Sequence, residues 1–396
     1  MIDGSANDSD LLRFLDGVKN NSPVDALVAA RLAIALADSG QRFQSESERV
    51  ADVASTGGPT SLSTLLCPLF LRVASCVVVK LGVPGRPAGG IDCLAQLPGY
   101  KTELTSKTLE ATLRRCGYAH FLASGQYAPL DARVFRLRQQ HGYQNVATLV
   151  AASLLSKKLA VGVRYAGLDI RVAPHGNFGS TWEEGRTNAT VFASAADMLG
   201  IVARPILTEA SFPYQPYIGR KEALASLWLL FESRAEHWLS SHLELCRELA
   251  LACAPADGRD AIKQVDVQSL RDIFYENLEA QGASPDDFVR TSETTLQAHA
   301  ETLHAQSDGF VEYSMVALRR VIVEAQNADA SGTIFADPVG LVLLRRPGEW
   351  VRCGEPIATM RVDPQVSEKT ATALRSVVKI QAHSASPGFE MVKTNG

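Results

Sequence analysis

Ser153 and Lys157 stand four residues apart in the apolar run VATLVAASLLSKKLAV, and Arg138 lies fifteen residues before Ser153. On a helix, side chains four positions apart project from one face, one turn from each other. A hydroxyl and an ammonium on such a face, with Ala151, Ala152 and Leu155 around them, can read the hydrogen-bonding groups of a flat polar ligand. A guanidinium adds a rigid fork of donors suited to carbonyl oxygens. The same spacing also fits a core helix whose serine bonds its own backbone and whose lysine extends outward.

These residues need a helix long enough to be buried and a turn to bring Arg138 to it. RQQHGYQN supplies a polar, glycine-containing turn, and the run after it has the length and composition of a buried helix. A second helix is expected earlier, in SPVDALVAARLAIALADS, with Ser22 as cap, Pro23 at the first helical position, Asp25 in the first turn and Gly40 as the stop. Between these segments the turn STGGPTSLS opens the helix LLCPLFLRVASC. Backbone N–H groups at a glycine turn before a helix, here Gly57-Gly58, can hold an anion. A plain capping turn fits the same residues. CVVVKLGV through ATLRRCGYAHFLA reads as strand, loop, helix and strand, and LAVGVRYAGLDIRVAP as a further strand, which together point to an α/β sheet. GLVLLRRPGEWVRCGEPIATMRV, with its Pro-Gly and Cys-Gly turns, reads as a small β module.

A chain of 396 residues that is 46% apolar can bury a large core in two or three parts. Its net charge of −4 argues against a general nucleic-acid or membrane-surface role. The longest apolar stretch, LLCPLFLRVASCVVVKLGV, is interrupted by Arg72 and Lys80 and is expected inside the protein, not across a membrane. Seven cysteines lack CxxC or Cys/His ligand spacing, so reduced core thiols of a cytoplasmic protein are expected, with no metal and no cofactor.

Several motifs occur together and in order: DVASTGG from Asp52, GRPAGGIDCLAQLPGY from Gly85, Arg138 with Ser153 and the Lys157-Lys158-Leu159 triplet, LDIRVAPHGNFGST from Leu168, and GLVLLRRPGEWVRCGEPIATM from Gly340. From about Leu11 to Val362 the chain resembles the thymidine and pyrimidine-nucleoside phosphorylases. The resemblance implies an α/β fold of the nucleoside phosphorylase type II-like kind. A small helical lobe (1–48, completed by 130–162) would join a large mixed α/β lobe (49–129 and 163–304), a C-terminal α+β module (305–362) and a tail (363–396). It also implies a homodimer formed through the helical lobe, and a pyrimidine nucleoside, nucleotide or nucleobase as ligand. Arg138 and Lys157 would donate to the base carbonyls and stabilise its departure, Ser153 would meet the ring N3 or an adjacent oxygen, and Phe178 would pack against the ring.

The chain departs from the family where phosphate binds. The usual Asp-Lys-His-Ser-Thr-Gly-Gly reads Asp52-Val53-Ala54-Ser55-Thr56-Gly57-Gly58, so a phosphate-contacting lysine and an acid–base histidine are both replaced. Pro84 stands where the family has a phosphate-contacting serine, and the glycine-rich loop after it is shortened, so the resemblance leaves Ser55, Gly57, Gly58 and Ser63 as the residual phosphate site. His141 and His175 are the candidate replacements for the histidine. Two functions are therefore carried forward. One is a divergent pentosyltransferase cleaving or transferring the glycosidic bond, with weak or no phosphorolysis. The other is a catalytically silent protein that binds a pyrimidine ligand or a partner.

Overall fold

The computed structural model describes residues 6–56, 58–123, 125–174, 176, 178–328 and 333–383, and the backbone of 391–393. Three parallel strands, Ala51–Ser55, Tyr165–Val172 and Val202–Glu209, form the main sheet in that order, and Met391–Lys393 adds an antiparallel edge. A parallel pair, Val78–Gly82 with Tyr118–Leu122, continues it through a bridge between Val50 and Val77. Along the first strand the side chains alternate, as a pleated strand requires. Ala51 and Val53 enter one apolar layer, with Leu65 and Cys253, and Ala54 joins the other.

The second layer is where the helices expected around the site pack. Asp8–Asn21, Ala26–Ala37, Pro129–His141 and Ala147–Ala160 bury Leu15, Leu36, Leu137 and Leu155 together against the sheet. The Ala26–Ala37 helix starts later than its sequence suggests. Asp25, not Ser22, is its cap, accepting from Val28 N at 2.9 Å, and Thr148 Oγ1 accepts from Asp25 N at 2.8 Å. A contact from a distant helix thus outcompetes the local cap.

Beyond residue 304 a strand (Gly309–Tyr313), a helix (Met315–Asn327) and short antiparallel strands enclose their own cluster around Leu318, Leu341 and Met360. Val378–Gln381 pairs with Gly309–Tyr313, so the chain after 362 still contributes to this module. A buried ion-pair group fastens the module to the Arg220–Phe231 helix. Glu222 faces Arg361 at 2.7 Å and His299 at 3.0 Å, and Arg361 also meets Asp337 at 2.7 Å. Against the cost of burial, Arg361 and His299 pull the Glu222 carboxyl down to about 2. Among the described residues no helix is long and apolar enough to cross a membrane. All seven cysteines are free, and Cys353 alone is exposed.

Candidate active site

The parallel strands Ala51–Ser55, Val78–Gly82 and Tyr118–Leu122 end at a cavity of about 140 Å³, roofed by the two helices Pro129–His141 and Ala147–Ala160. The crevice at the carboxyl ends of parallel strands is the usual ligand site of such sheets. Arg138, Ser153 and Lys157 all line it.

Arg138 is set by the geometry of its helix. Pro129 starts that helix after Ala128 in the left-handed region (φ 47°), and Gly142 ends it with φ 74°. In its last turn Arg138 donates to the carbonyls of Tyr143 (3.3 Å), Gln144 (3.2 Å) and Leu149 (3.1 Å), which locks the turn to the next helix. Of the five N–H donors of a guanidinium, two remain. Burial pulls its pKa to about 10, so it stays charged at neutral pH.

Lys157 donates to Asp131 Oδ2 at 2.6 Å, to Ser153 Oγ at 3.0 Å and to the Ser153 carbonyl. Burial lowers its proton affinity and Asp131 opposes that. Asp131 is the residue that sequence reasoning missed here. It is fully buried, and its Oδ1 has no partner among the described residues. Its signal in the sequence was an acid in the first turn after Pro129.

The floor of the cavity was not anticipated. Asp52, on the first strand, holds two lysines: Lys80 at 2.7 Å from the neighbouring strand, and Lys158 from the helix above. Lys80 also donates to the Val53 carbonyl at 2.6 Å. Burial pulls Lys80 down to about 8 and Lys158 to about 7. His120 also lines the cavity, with Nδ1 3.2 Å from the Tyr118 hydroxyl. Burial, and then the nearby Lys80, push its pKa well below the usual value, so the imidazole is neutral. Thr64 Oγ1, another wall atom, is buried without a partner among the described residues.

The remaining candidates lie elsewhere. Ser55 lines the cavity, and Gly58 (φ +133°) lines a smaller adjoining pocket with Arg171. Ser63 is buried: it donates to Asp169 Oδ2 at 3.1 Å and accepts from Arg171 at 3.2 Å. Phe178 is fully buried in the apolar layer and is absent from the cavity wall. His141 sits on the exposed end of its helix, stacked on Tyr143 at 6.4 Å. Gly57 and His175 lie outside the described residues. No group of three or more His, Cys, Asp or Glu among the described residues could hold a metal ion.

No protein-family model matches the chain. Thymidine phosphorylase of Mycobacterium tuberculosis, in strains CDC 1551 / Oshkosh and H37Rv, is 29% identical over 341 residues, which span 84% of this chain and 77% of that protein. Among solved structures, anthranilate phosphoribosyltransferase from Thermus thermophilus is similar with a TM-score of 0.45 and 16% identity, over 74% of this chain and 95% of that one. The Saccharomyces cerevisiae anthranilate phosphoribosyltransferase, in complex with PRPP and Mg, gives a TM-score of 0.48 and 12% identity, over 73% and 88%. Taken with the ordered motifs from Asp52 to Lys158, the match over 341 residues makes this chain similar to thymidine phosphorylase along most of its length.

Proposed function

We propose that the chain is a pentosyltransferase acting on the glycosidic bond of a pyrimidine nucleoside or nucleotide, with phosphorolysis weak or absent. The observation that carries this reading is the convergence of Arg138, Ser153 and Lys157 on one cavity at the carboxyl ends of the parallel strands. The two spare Arg138 donors would meet a carbonyl oxygen of the ring, and Lys157, whose three donors go to Asp131 and Ser153, would act on the base through its charge. As the bond to the sugar breaks, negative charge grows on the base, and these fixed charges stabilise it more than they stabilise the bound substrate. Asp131 supports that role by keeping Lys157 charged and in place.

Phosphate attack has lost its local support. Val53 points into the core, Ala54 offers no proton-transferring group, and Ser63 is tied to Asp169 and Arg171. A missing positioned acid–base group costs on the order of 10² to 10⁴ in rate.

The test is to incubate the protein with uridine, thymidine and their monophosphates, with and without inorganic phosphate, and to follow free base. Base released at a rate that phosphate changes little supports the reading. Ligand-induced thermal stabilisation without base release would overturn it in favour of a silent binding protein, and fast, strictly phosphate-dependent release would overturn its second half.

A further inference from the structure

The cavity carries more positive charge than the chain itself neutralises. Lys157 is matched by Asp131, and Lys80 and Lys158 share Asp52. Arg86 and Arg319 also line the cavity, and among the described residues no carboxylate forms an ion pair with either. They are close enough that, after burial, the charge of Arg319 is the main influence lowering the proton affinity of Arg86. Two like charges held together in a half-buried site repel, and a bound anion relieves that cost.

The placement is built, not incidental. The Arg86 backbone is pinned from three sides. Gly85 N and Arg86 N donate to Asp92 at 2.8 and 3.3 Å, Arg220 donates to the Arg86 carbonyl at 3.0 Å, and Gln326 donates to the Pro87 carbonyl at 3.2 Å. Its guanidinium lies over the Phe135 ring, 4.7 Å from the centroid. Gln326 and Arg319 are two turns apart on the Met315–Asn327 helix, so the contact that fixes the loop also sets Arg319 beside it. Arg319 further lines the adjoining pocket of Thr56 and Gly58, which places it where the two spaces meet.

We propose that Arg86 and Arg319 form a receptor for a phosphate group of the ligand, taking over the anion-holding role from the Ser55–Ser63 turn. Two planar forks suit the oxygens of a tetrahedral dianion. The proposal rests on the cavity being the pentosyl-transfer site, and it narrows the ligand to one that bears phosphate there. That phosphate is either esterified to the sugar or free.

Isothermal titration of the full chain with ribose 5-phosphate, uridine monophosphate, uridine and inorganic phosphate tests this, using the natural protein, Arg319→Gln and Arg86→Lys. Arg319→Gln, at a half-buried position on the module helix, is expected to weaken the phosphate esters about 10- to 100-fold and to leave uridine unchanged. Arg86→Lys keeps the charge but loses the fork, and should weaken them less. The same loss seen with inorganic phosphate and not with ribose 5-phosphate would support the receptor and assign it to free phosphate. Equal affinity of every phosphate-bearing probe for the natural protein and Arg319→Gln, or no binding of any of them, overturns the proposal. Failure of the underlying reading looks different: uridine then fails to bind any of the proteins.

Discussion

Two regions of this molecule use the same chemical vocabulary for opposite ends. At the cavity roof a serine, a lysine and an arginine stand beside a buried aspartate: Ser153, Lys157, Arg138 and Asp131. At the glycine turn a serine and an arginine stand beside another, Asp169, with Ser63 and Arg171. In the first region the acid is set behind the cations, so their charge faces the cavity. In the second, Asp169 accepts from Ser63 at 3.1 Å, Arg171 at 3.0 Å and Thr208 at 2.9 Å, and the groups close on one another. Residue type alone does not make a binding wall. What matters is whether the charged groups line a cavity, with Arg138 keeping two donors to spare, or close on one another.

Lys157→Met should have the largest effect, because it leaves Asp131 buried without its cation. Breaking such a pair costs roughly 3 to 5 kcal/mol, which a denaturant titration would read, and base affinity should vanish with it. Asp169→Asn is the counterpart in the closed region. It should destabilise by about 3 kcal/mol on the same grounds while leaving uracil affinity within a few-fold. If both variants lose base binding equally, the contrast between the regions fails.

Arg138→Lys sharpens the comparison further. It keeps the charge but not the fork, so calorimetry should show base affinity reduced about tenfold, as expected for one or two lost charge-assisted bonds. The double variant Val53→Lys with Ala54→His asks whether the turn can be reopened. Val53 belongs to the apolar layer with Leu65 and Cys253, so a lysine there would bury its charge. Lower stability and no gain in phosphate-dependent base release are expected, and a clear gain would show that the turn still holds phosphate.

The remaining test concerns pH. His120 in the cavity wall and His242, which accepts from Leu62 N at 2.8 Å beneath the turn, are both buried. Burial pushes the first well down and the second to about 3. Below the unfolded value of about 6.5 the unfolded chain takes up protons that the folded chain refuses, so stability is retained above that pH and falls as pH drops. Each histidine contributes a slope of about 1.4 kcal/mol per pH unit until its folded value is reached. His120→Asn and His242→Asn should each flatten the acid limb of the unfolding profile, and an unchanged limb would contradict neutral imidazoles at both sites.

What the sequence made legible follows the distance over which each contact acts. Ser153 and Lys157 could be read because a helix fixes the relation between positions four apart. Arg138 could be read because only one turn separates its helix from theirs. Asp52 with Lys80 and Lys158 could not, since that meeting is set by which strands become neighbours and how a helix lies across them. His120 and Arg319 were hidden for the same reason. Phe178 was expected at the ring from the resemblance. The segment after the Tyr165–Val172 strand delivers it into the apolar layer instead, where Asn188 donates to its carbonyl at 3.2 Å.

The central claim is that the cavity roof binds a pyrimidine base, and Ser153→Ala probes it with the least disturbance to the fold. Titrating uracil and thymine into the natural protein and this variant by calorimetry should show measurable binding in the first and roughly five- to tenfold weaker binding in the second. Undiminished affinity in the variant, or no heat with either base in the natural protein, would contradict it.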